Sequence, residues 1–185
     1  MKLLRHTLAT TCFSLAIGAA LPVFAADSVM VGGAAMYPSK TIVENAVNSK
    51  DHTTLIAAVK AASLVETLNS KGPFTVFAPT NAAFAALPAG TVESLVKPEN
   101  KATLSNILTY HVVAGTYTAE DLMMAANKTA GKTMLTTVQG EKLTVAYDGQ
   151  MLSLTDSKGS NTAISIADVM QSNGVIHVID KVLLP

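Results

Sequence analysis

The chain has 185 residues, and its 13 lysines and arginines balance its 13 aspartates and glutamates. Proteins that bind nucleic acid present a basic surface and use arginine for forked contacts to phosphate and guanine. The one arginine of this sequence, Arg5, lies close to the N-terminus. The composition therefore argues against nucleic acid as a partner.

Residues 1–25 have the pattern of a secretory signal peptide. Basic residues precede an apolar stretch over residues 8–21, and Ala25 closes a cleavage site of small residues. The stretch is shorter than the roughly 20 apolar residues that cross a bilayer. We therefore expect cleavage after Ala25, no transmembrane segment in the mature chain, and a periplasmic, secreted or cell-surface location. Cys12 leaves with the signal peptide, so the mature chain has no disulfide.

The next part of the sequence predicts an arm followed by helices. Residues 26–38 show no sustained hydrophobic period, and we interpret them as a leader arm before a single domain over residues 39–185. Thr41 and Glu44 have the spacing of a capping box and predict the start of a first helix. Apolar residues at helical spacing over residues 55–68 predict a second helix or a helix pair.

A buried strand is predicted over residues 74–78, which are apolar, aromatic and β-branched and lie between two prolines. After Pro79, Thr80 or Asn81 is expected to cap a short helix, and Thr91 to begin another. Helical spacing then continues to His111, and a last short helix is expected from Thr118.

From residue 132 onward the hydrophobic period changes to two, which is typical of strands. Asp148-Gly149 predicts a two-residue hairpin turn that pairs Val145 with Leu152.

Asn173-Gly174 predicts a second such turn, which pairs Val169 with Val178. Because helices come first and strands dominate afterwards, the expected class is mixed α+β.

Three segments resemble the signature blocks of the fasciclin domain. Residues 72–84, Gly-Pro-Phe-Thr-Val-Phe-Ala-Pro-Thr-Asn-Ala-Ala-Phe, resemble the first block, and residues 173–183 resemble the second. Residues 108–113, Leu-Thr-Tyr-His-Val-Val, resemble the central tyrosine-histidine motif. The resemblance covers about residues 39–185 and implies a wedge of two β-sheets with helices packed on one side, acting in cell adhesion or matrix interaction.

The resemblance also implies a binding site. In animal fasciclin domains, integrin binding is attributed to the tyrosine-histidine motif and to an Asp-Ile motif before the second block. The matching residues are Tyr110, His111 and Val112 in the first motif and Asp168 and Val169 in the second. The second motif departs from the animal pattern, because valine replaces isoleucine and no acidic residue and proline precede the aspartate.

The same residues also have structural interpretations. His111 lies on the apolar face of its predicted helix, so it can be a buried histidine whose ring nitrogens have hydrogen-bond partners. Tyr110 can be a core residue in the same way, or an aromatic residue that faces a partner. His177 shares a strand face with apolar residues and is also expected to be buried.

No pattern of enzyme, metal or cofactor chemistry is recognised in the sequence. The histidines of the mature chain are isolated and no cysteine remains, which argues against a metal site. Neither a Gly-x-Ser-x-Gly nucleophile turn nor a glycine-rich phosphate loop occurs. We therefore expect a non-enzymatic, exported interaction module that binds a cell-surface or matrix protein or polysaccharide. A periplasmic carrier of a small apolar ligand is the alternative, and a hydrolase is third.

Overall fold

The computed structural model describes residues 28–185, so the expected signal peptide and its cleavage site lie outside the described residues. The helices are α1 (Ile42–Ala46), α2 (Thr53–Ala61), α3 (Val65–Asn69), α4 (Asn81–Ala85), α5 (Thr91–Leu95), α6 (Lys101–Tyr110) and α7 (Ala119–Lys128). The strands are β1 (Val29–Val31), β2 (Ala34–Met36), β3 (Phe74–Pro79), β4 (Val112–Ala114), β5 (Lys132–Thr136), β6 (Lys142–Tyr147), β7 (Leu152–Thr155), β8 (Asn161–Gln171) and β9 (Gly174–Ile179).

Seven strands form one continuous order, β4-β3-β9-β8-β7-β6-β5. The β3–β9 pair is parallel and the other neighbours are antiparallel. The long strand β8 joins two halves, because residues 161–163 pair with β7 and residues 164–171 pair with β9. At the two edges of the sheet, the amide of Val138, which follows β5, donates to the carbonyl of Val112 in β4 at 2.7 Å. This contact nearly closes the sheet into a barrel. The predicted α+β wedge is therefore confirmed.

Two hydrophobic cores lie on the two sides of this sheet. The first packs α1 to α6 and the β1–β2 hairpin against one face of β3 and β9. The second fills the near-barrel, where the sides of β5, β6 and β7 that face inward meet Phe77, Tyr110 and Leu122 of α7. Strand β9 is buried along its whole length because it separates these two cores.

The expected leader arm is not free of the domain. Residues 29–36 form the β1–β2 hairpin, and the side chains of Val31 and Met36 are buried in the first core. The Lys50 amide donates to the Gly32 carbonyl, which ties the hairpin turn to the start of α2. Strands of three residues are too short to show a hydrophobic period, so tertiary packing rather than pattern defines this element.

The predicted helix starts are confirmed at three places. Thr41 and Thr118 each begin a helix with a capping box in which the third residue returns a carboxylate to the cap amide. The Thr80 hydroxyl accepts from the Ala83 amide and caps α4. The region expected to form a helix or a helix pair contains two helices, α2 and α3.

The register predicted for the first hairpin is wrong by two residues. Val145 pairs with Leu154, and Tyr147 pairs with Leu152. The Asp148 carboxylate accepts from the amides of Gln150 and Met151, and this lengthens the turn beyond two residues. A shift of two residues keeps the same side chains on the same face, so the predicted apolar face is nevertheless correct.

The register predicted for the second hairpin is also wrong. Gly174 is already part of β9 and pairs with Gln171, so Ser172 and Asn173 form the turn. Further back, β8 is irregular between Ile166 and Val169, and this shifts the pairing again. Val178 therefore pairs with Ile166.

Candidate functional site

Tyr110 is the last residue of α6, and its side chain lies inside the near-barrel with no exposed surface. Its hydroxyl donates to the Lys142 carbonyl and accepts from the Ser157 amide, both at 3.1 Å. Burial raises the pKa of the phenol above its ordinary value. Tyr110 therefore fastens the end of α6 to β6 and to the turn after β7.

His111 caps the C-terminus of α6 and is also buried. Its Nδ1 lies 2.8 Å from the Ile107 carbonyl, and its Nε2 lies 3.0 Å from the Leu183 amide. These partners assign the proton to Nδ1, which donates to the carbonyl, and leave Nε2 to accept from the amide. Burial lowers the pKa of His111 to about 4, so the ring is neutral at pH 7. His111 thus joins α6 to the C-terminal segment.

Val112 is buried in β4, where it pairs with Val76 of β3. Its carbonyl accepts the hydrogen bond from Val138 that closes the sheet. Because Tyr110 and His111 are buried as well, all three predicted residues of the first motif turn their side chains into the protein.

The second motif lies where β8 is irregular. Asp168 has a left-handed backbone with a φ of 56°, which is uncommon for a residue other than glycine. Its carboxylate accepts from the Ala119 amide at 2.7 Å, and its own amide donates to Nδ1 of His177 at 3.3 Å. Asp168 is partly exposed, whereas the side chain of Val169 is buried. Of the five predicted site residues, Asp168 alone reaches the surface.

His177 supports this second motif from inside the protein, and its predicted burial is confirmed. Its Nε2 lies 2.8 Å from the Tyr117 carbonyl, so Nε2 carries the proton and Nδ1 accepts from Asp168. Its ring stacks on Phe77 with centroids 5.6 Å apart. Burial lowers the pKa of His177, which favours the neutral ring that this arrangement needs.

The two motifs are connected through β3 and β9. The Phe77 amide donates to the His111 carbonyl at 2.9 Å, and Phe77 is also the strand partner of His177. The motifs therefore flank the same parallel strand pair and are linked by it.

Asn173 has a structural role that the sequence did not reveal beyond its place in a turn. Its side chain accepts from the Ile42 amide and donates to the carbonyls of Leu68 and Ser70. It is buried, and these hydrogen bonds join the β8–β9 turn to α1 and α3. An asparagine in a turn between strands is the one sequence signal of this role, and it also fits an exposed turn.

An apolar cavity lies between α1, α2 and β3 beside His111. Its volume is about 30 Å³, which holds a water-sized molecule. Pockets for small organic ligands have volumes of about 300 to 1,000 Å³. In this conformation the cavity cannot hold a lipid or another apolar ligand.

Residues 28–185 contain neither a cluster of metal ligands nor a membrane-spanning helix. In that part of the chain, no three side chains of His, Cys, Asp or Glu come together as metal ligands. Among the helices of the same residues, none has the length and apolar character to cross a bilayer.

Two buried histidines thus hold the two motifs: His111 holds the end of α6, and His177 holds the irregular part of β8 at Asp168. Residues 50–185 match the family model of the fasciclin domain. The chain therefore belongs to the fasciclin domain family.

Similar proteins are found in bacteria and animals. The chain is 52% identical over 159 residues to Protein sll1483 of Synechocystis, and the alignment covers 85% of this chain and 81% of that protein. It is 35% identical over 148 residues to transforming growth factor-beta-induced protein ig-h3 of Sus scrofa, covering 80% of this chain and 20% of that protein. Among solved structures, a domain pair of the insect cell adhesion molecule fasciclin I matches with a TM-score of 0.70 at 20% identity. That match concerns the fold, and it covers 79% of this chain and 51% of the pair.

Proposed function

We propose that this protein is an exported, non-enzymatic adhesion module that binds a protein or polysaccharide of a cell surface or matrix. Its membership of the fasciclin family and the likeness to the fold of an insect cell adhesion molecule support this proposal. We infer export from the expected signal peptide of residues 1–25.

The observation that carries the proposal is the backbone of Asp168. A left-handed aspartate in a strand costs conformational energy, and such strain is retained where the surrounding structure enforces it. Here His177 fixes the amide of Asp168 and the Ala119 amide fixes one carboxylate oxygen. Irregular strand positions often aim a side chain at a ligand. The second carboxylate oxygen is the polar contact that we assign to the partner.

The buried residues of the two motifs have a supporting role in this proposal. Tyr110, His111 and Val112 hold the end of α6 and β4 against β3, and Val169 anchors β8 beside the bulge. They set the position of the surface without touching the partner.

The test is adhesion of cells to surfaces coated with purified mature protein. Asp168→Asn keeps an oxygen for the Ala119 amide, and asparagine tolerates the left-handed backbone, so the fold is preserved and one charge is removed. We expect adhesion to fall by about tenfold, as for loss of a charge-assisted hydrogen bond.

Asp180→Asn is the matched control. Asp180 is an exposed aspartate whose carboxylate, like that of Asp168, accepts from a backbone amide, here that of Ala163; it also accepts from the Thr162 hydroxyl. Its replacement is expected to leave adhesion unchanged. Equal adhesion by the wild-type protein and the Asp168→Asn variant would remove Asp168 from the site.

The alternative is a carrier of an apolar ligand. If the ligand lay in the cavity beside His111, that cavity would have to open, because about 30 Å³ is too small for such a ligand. Native mass spectrometry of freshly purified protein tests it. A co-purified small molecule in stoichiometric amount would favour the carrier over the adhesion module.

A further inference from the structure

Methionine is distributed unusually in this protein. The side chain is normally among those most often buried. Of the seven methionines in residues 28–185, five are exposed by 40% to 65% of their surface, Met123 is partly buried against the second core, and Met36 is 3% exposed. The exposed set comprises Met30, Met124, Met134, Met151 and Met170.

The exposed methionines lie on separate elements and outside the two cores. Met30 is on β1, Met124 on α7, Met134 on β5 and Met170 on β8, while Met151 lies in the turn between β6 and β7. Neither hydrophobic core includes any of them. A polar atom added to these sulfurs therefore meets solvent rather than packed side chains.

The composition leaves methionine as the most easily oxidised side chain. The chain has no tryptophan, and its one cysteine, Cys12, lies in the expected signal peptide. A two-electron oxidant that reaches the mature protein has no thiol to attack, and thioethers are the next targets.

We propose that the five exposed methionines are reversible oxidation sites that consume peroxide-type oxidants while the fold stays intact. In each reaction the thioether sulfur attacks one oxygen of hydrogen peroxide. The O–O bond breaks, an S=O bond forms and water leaves, so the sulfur loses two electrons and the peroxide gains them. A thiol-dependent sulfoxide reductase reverses the reaction, with two thiols forming a disulfide and the oxygen leaving as water.

Met36 is the buried methionine with which the five exposed ones can be compared. It is buried in the first core beside the cavity that His52 and Val169 line. A sulfoxide there would place a polar oxygen in a cavity that is apolar apart from His52, and its formation requires local opening of the hairpin. The five exposed methionines can therefore accept an oxygen without loss of core packing, whereas Met36 cannot.

The experiment treats the mature protein with hydrogen peroxide and follows each methionine by peptide mass spectrometry. We expect Met134, the most exposed at 65%, to react among the fastest. Met36 should react at least about tenfold more slowly than every exposed methionine, because it depends on local opening. After uptake of five oxygens the melting temperature should change by less than about 3 °C, as for surface substitutions.

Variants distinguish oxidation of the exposed methionines from oxidation that unfolds the protein. Replacement of all five exposed methionines by leucine should abolish the rapid uptake of oxygen and leave folding unchanged. Met36→Leu should leave the rapid uptake unchanged. The proposal is overturned if Met36 reacts as fast as the exposed set, or if the protein unfolds as the exposed set is oxidised. It is also overturned if methionine sulfoxide reductase with dithiothreitol does not restore the original mass.

Discussion

The two motifs that flank the parallel strand pair differ in what they offer to solvent. At the Tyr110–His111 corner, both side chains are buried and every polar atom has a backbone partner. At the Asp168 bulge, the carboxylate is partly exposed and the backbone is held in a left-handed conformation. The first motif therefore stabilises the domain, and the second presents a group that the domain holds in place.

A motif that is linked to binding in a family therefore need not be a binding surface. The hydrogen bonds of His111 join residues distant in the sequence, Ile107 and Leu183. A substitution there disturbs the sheet and every surface built on it. Loss of binding after such a substitution therefore does not locate the contact, whereas a stability measurement separates the two roles.

The largest expected effect is that of His111→Leu. The substitution leaves the Leu183 amide buried without its acceptor, so the free energy of unfolding should fall by about 3 kcal/mol, as for an unsatisfied buried group plus altered packing. Chemical denaturation measures the change.

His52→Leu is the matched control for that prediction. His52 is also buried, but its hydrogen bond to the Ser49 hydroxyl is local, and its Nε2 has only the Ala78 backbone near it. Its replacement should cost about 1 kcal/mol or less. An equal cost at both histidines would mean that the Leu183 hydrogen bond contributes little.

The next largest expected effect is a loss of stability on acidification, through the protonation of His111. The pKa of His111 is lowered to about 4 in the folded protein, from an ordinary value of 6.5, because the ring is buried. Between these values the unfolded chain takes up the proton first. The free energy of unfolding should therefore be highest above pH 6.5, fall by about 3 kcal/mol as the pH drops toward 4, and receive no further loss from this group below 4.

Denaturation curves at several pH values measure this slope. His111→Gln removes the titrating group, so the variant should show a shallower dependence between pH 4 and 6.5. His177, whose pKa is also lowered by burial, accounts for part of the slope that remains. Parallel pH profiles for the wild type and the variant would contradict the assignment to His111.

A smaller effect is expected for Tyr110→Phe. The ring keeps its packing, but the Ser157 amide and the Lys142 carbonyl lose their shared partner. The free energy of unfolding should fall by about 1 to 2 kcal/mol, which calorimetry can detect. Tyr147→Phe is the control, because the Tyr147 hydroxyl bonds to the Gly149 carbonyl at an exposed turn. Its replacement should cost less than about 0.5 kcal/mol.

Local signals in the sequence predicted the helical part of the molecule well. The threonine caps at residues 41, 80 and 118 act through neighbours within three positions, so their spacing alone specifies the helix starts. The strand over residues 74–78 is equally local, because it is apolar and lies between prolines.

The sequence predicted the sheet less completely. Asp148-Gly149 favours a two-residue turn, but hydrogen bonds from Gln150 and Met151 to the Asp148 carboxylate select a longer one. The irregular pairing near Asp168 depends on His177 and Ala119, which are distant in sequence. The β1–β2 hairpin was missed because its strands are short and its burial is supplied by other elements.

The same limit applies to the candidate site. The sequence placed Tyr110 and His111 on an apolar helix face and left open whether they contact a partner. Their burial is decided by β6 and by the C-terminal segment, which reach them from elsewhere in the chain. The left-handed conformation of Asp168 has no local sequence signal, since the groups that contact it, His177 and the Ala119 amide, are distant in the sequence.

The smallest expected change in stability is that of a substitution at the Asp168 bulge. Asp168→Asn keeps an acceptor for the Ala119 amide, so the free energy of unfolding should change by less than about 0.5 kcal/mol. Asp168→Ala loses that acceptor and a residue suited to the left-handed backbone, so it should cost about 1 to 2 kcal/mol. If Asp168→Asn were as costly as Asp168→Ala, the charge itself would hold the bulge together. The partly exposed carboxylate would then be a structural group like His111, and the contrast between the two motifs would disappear.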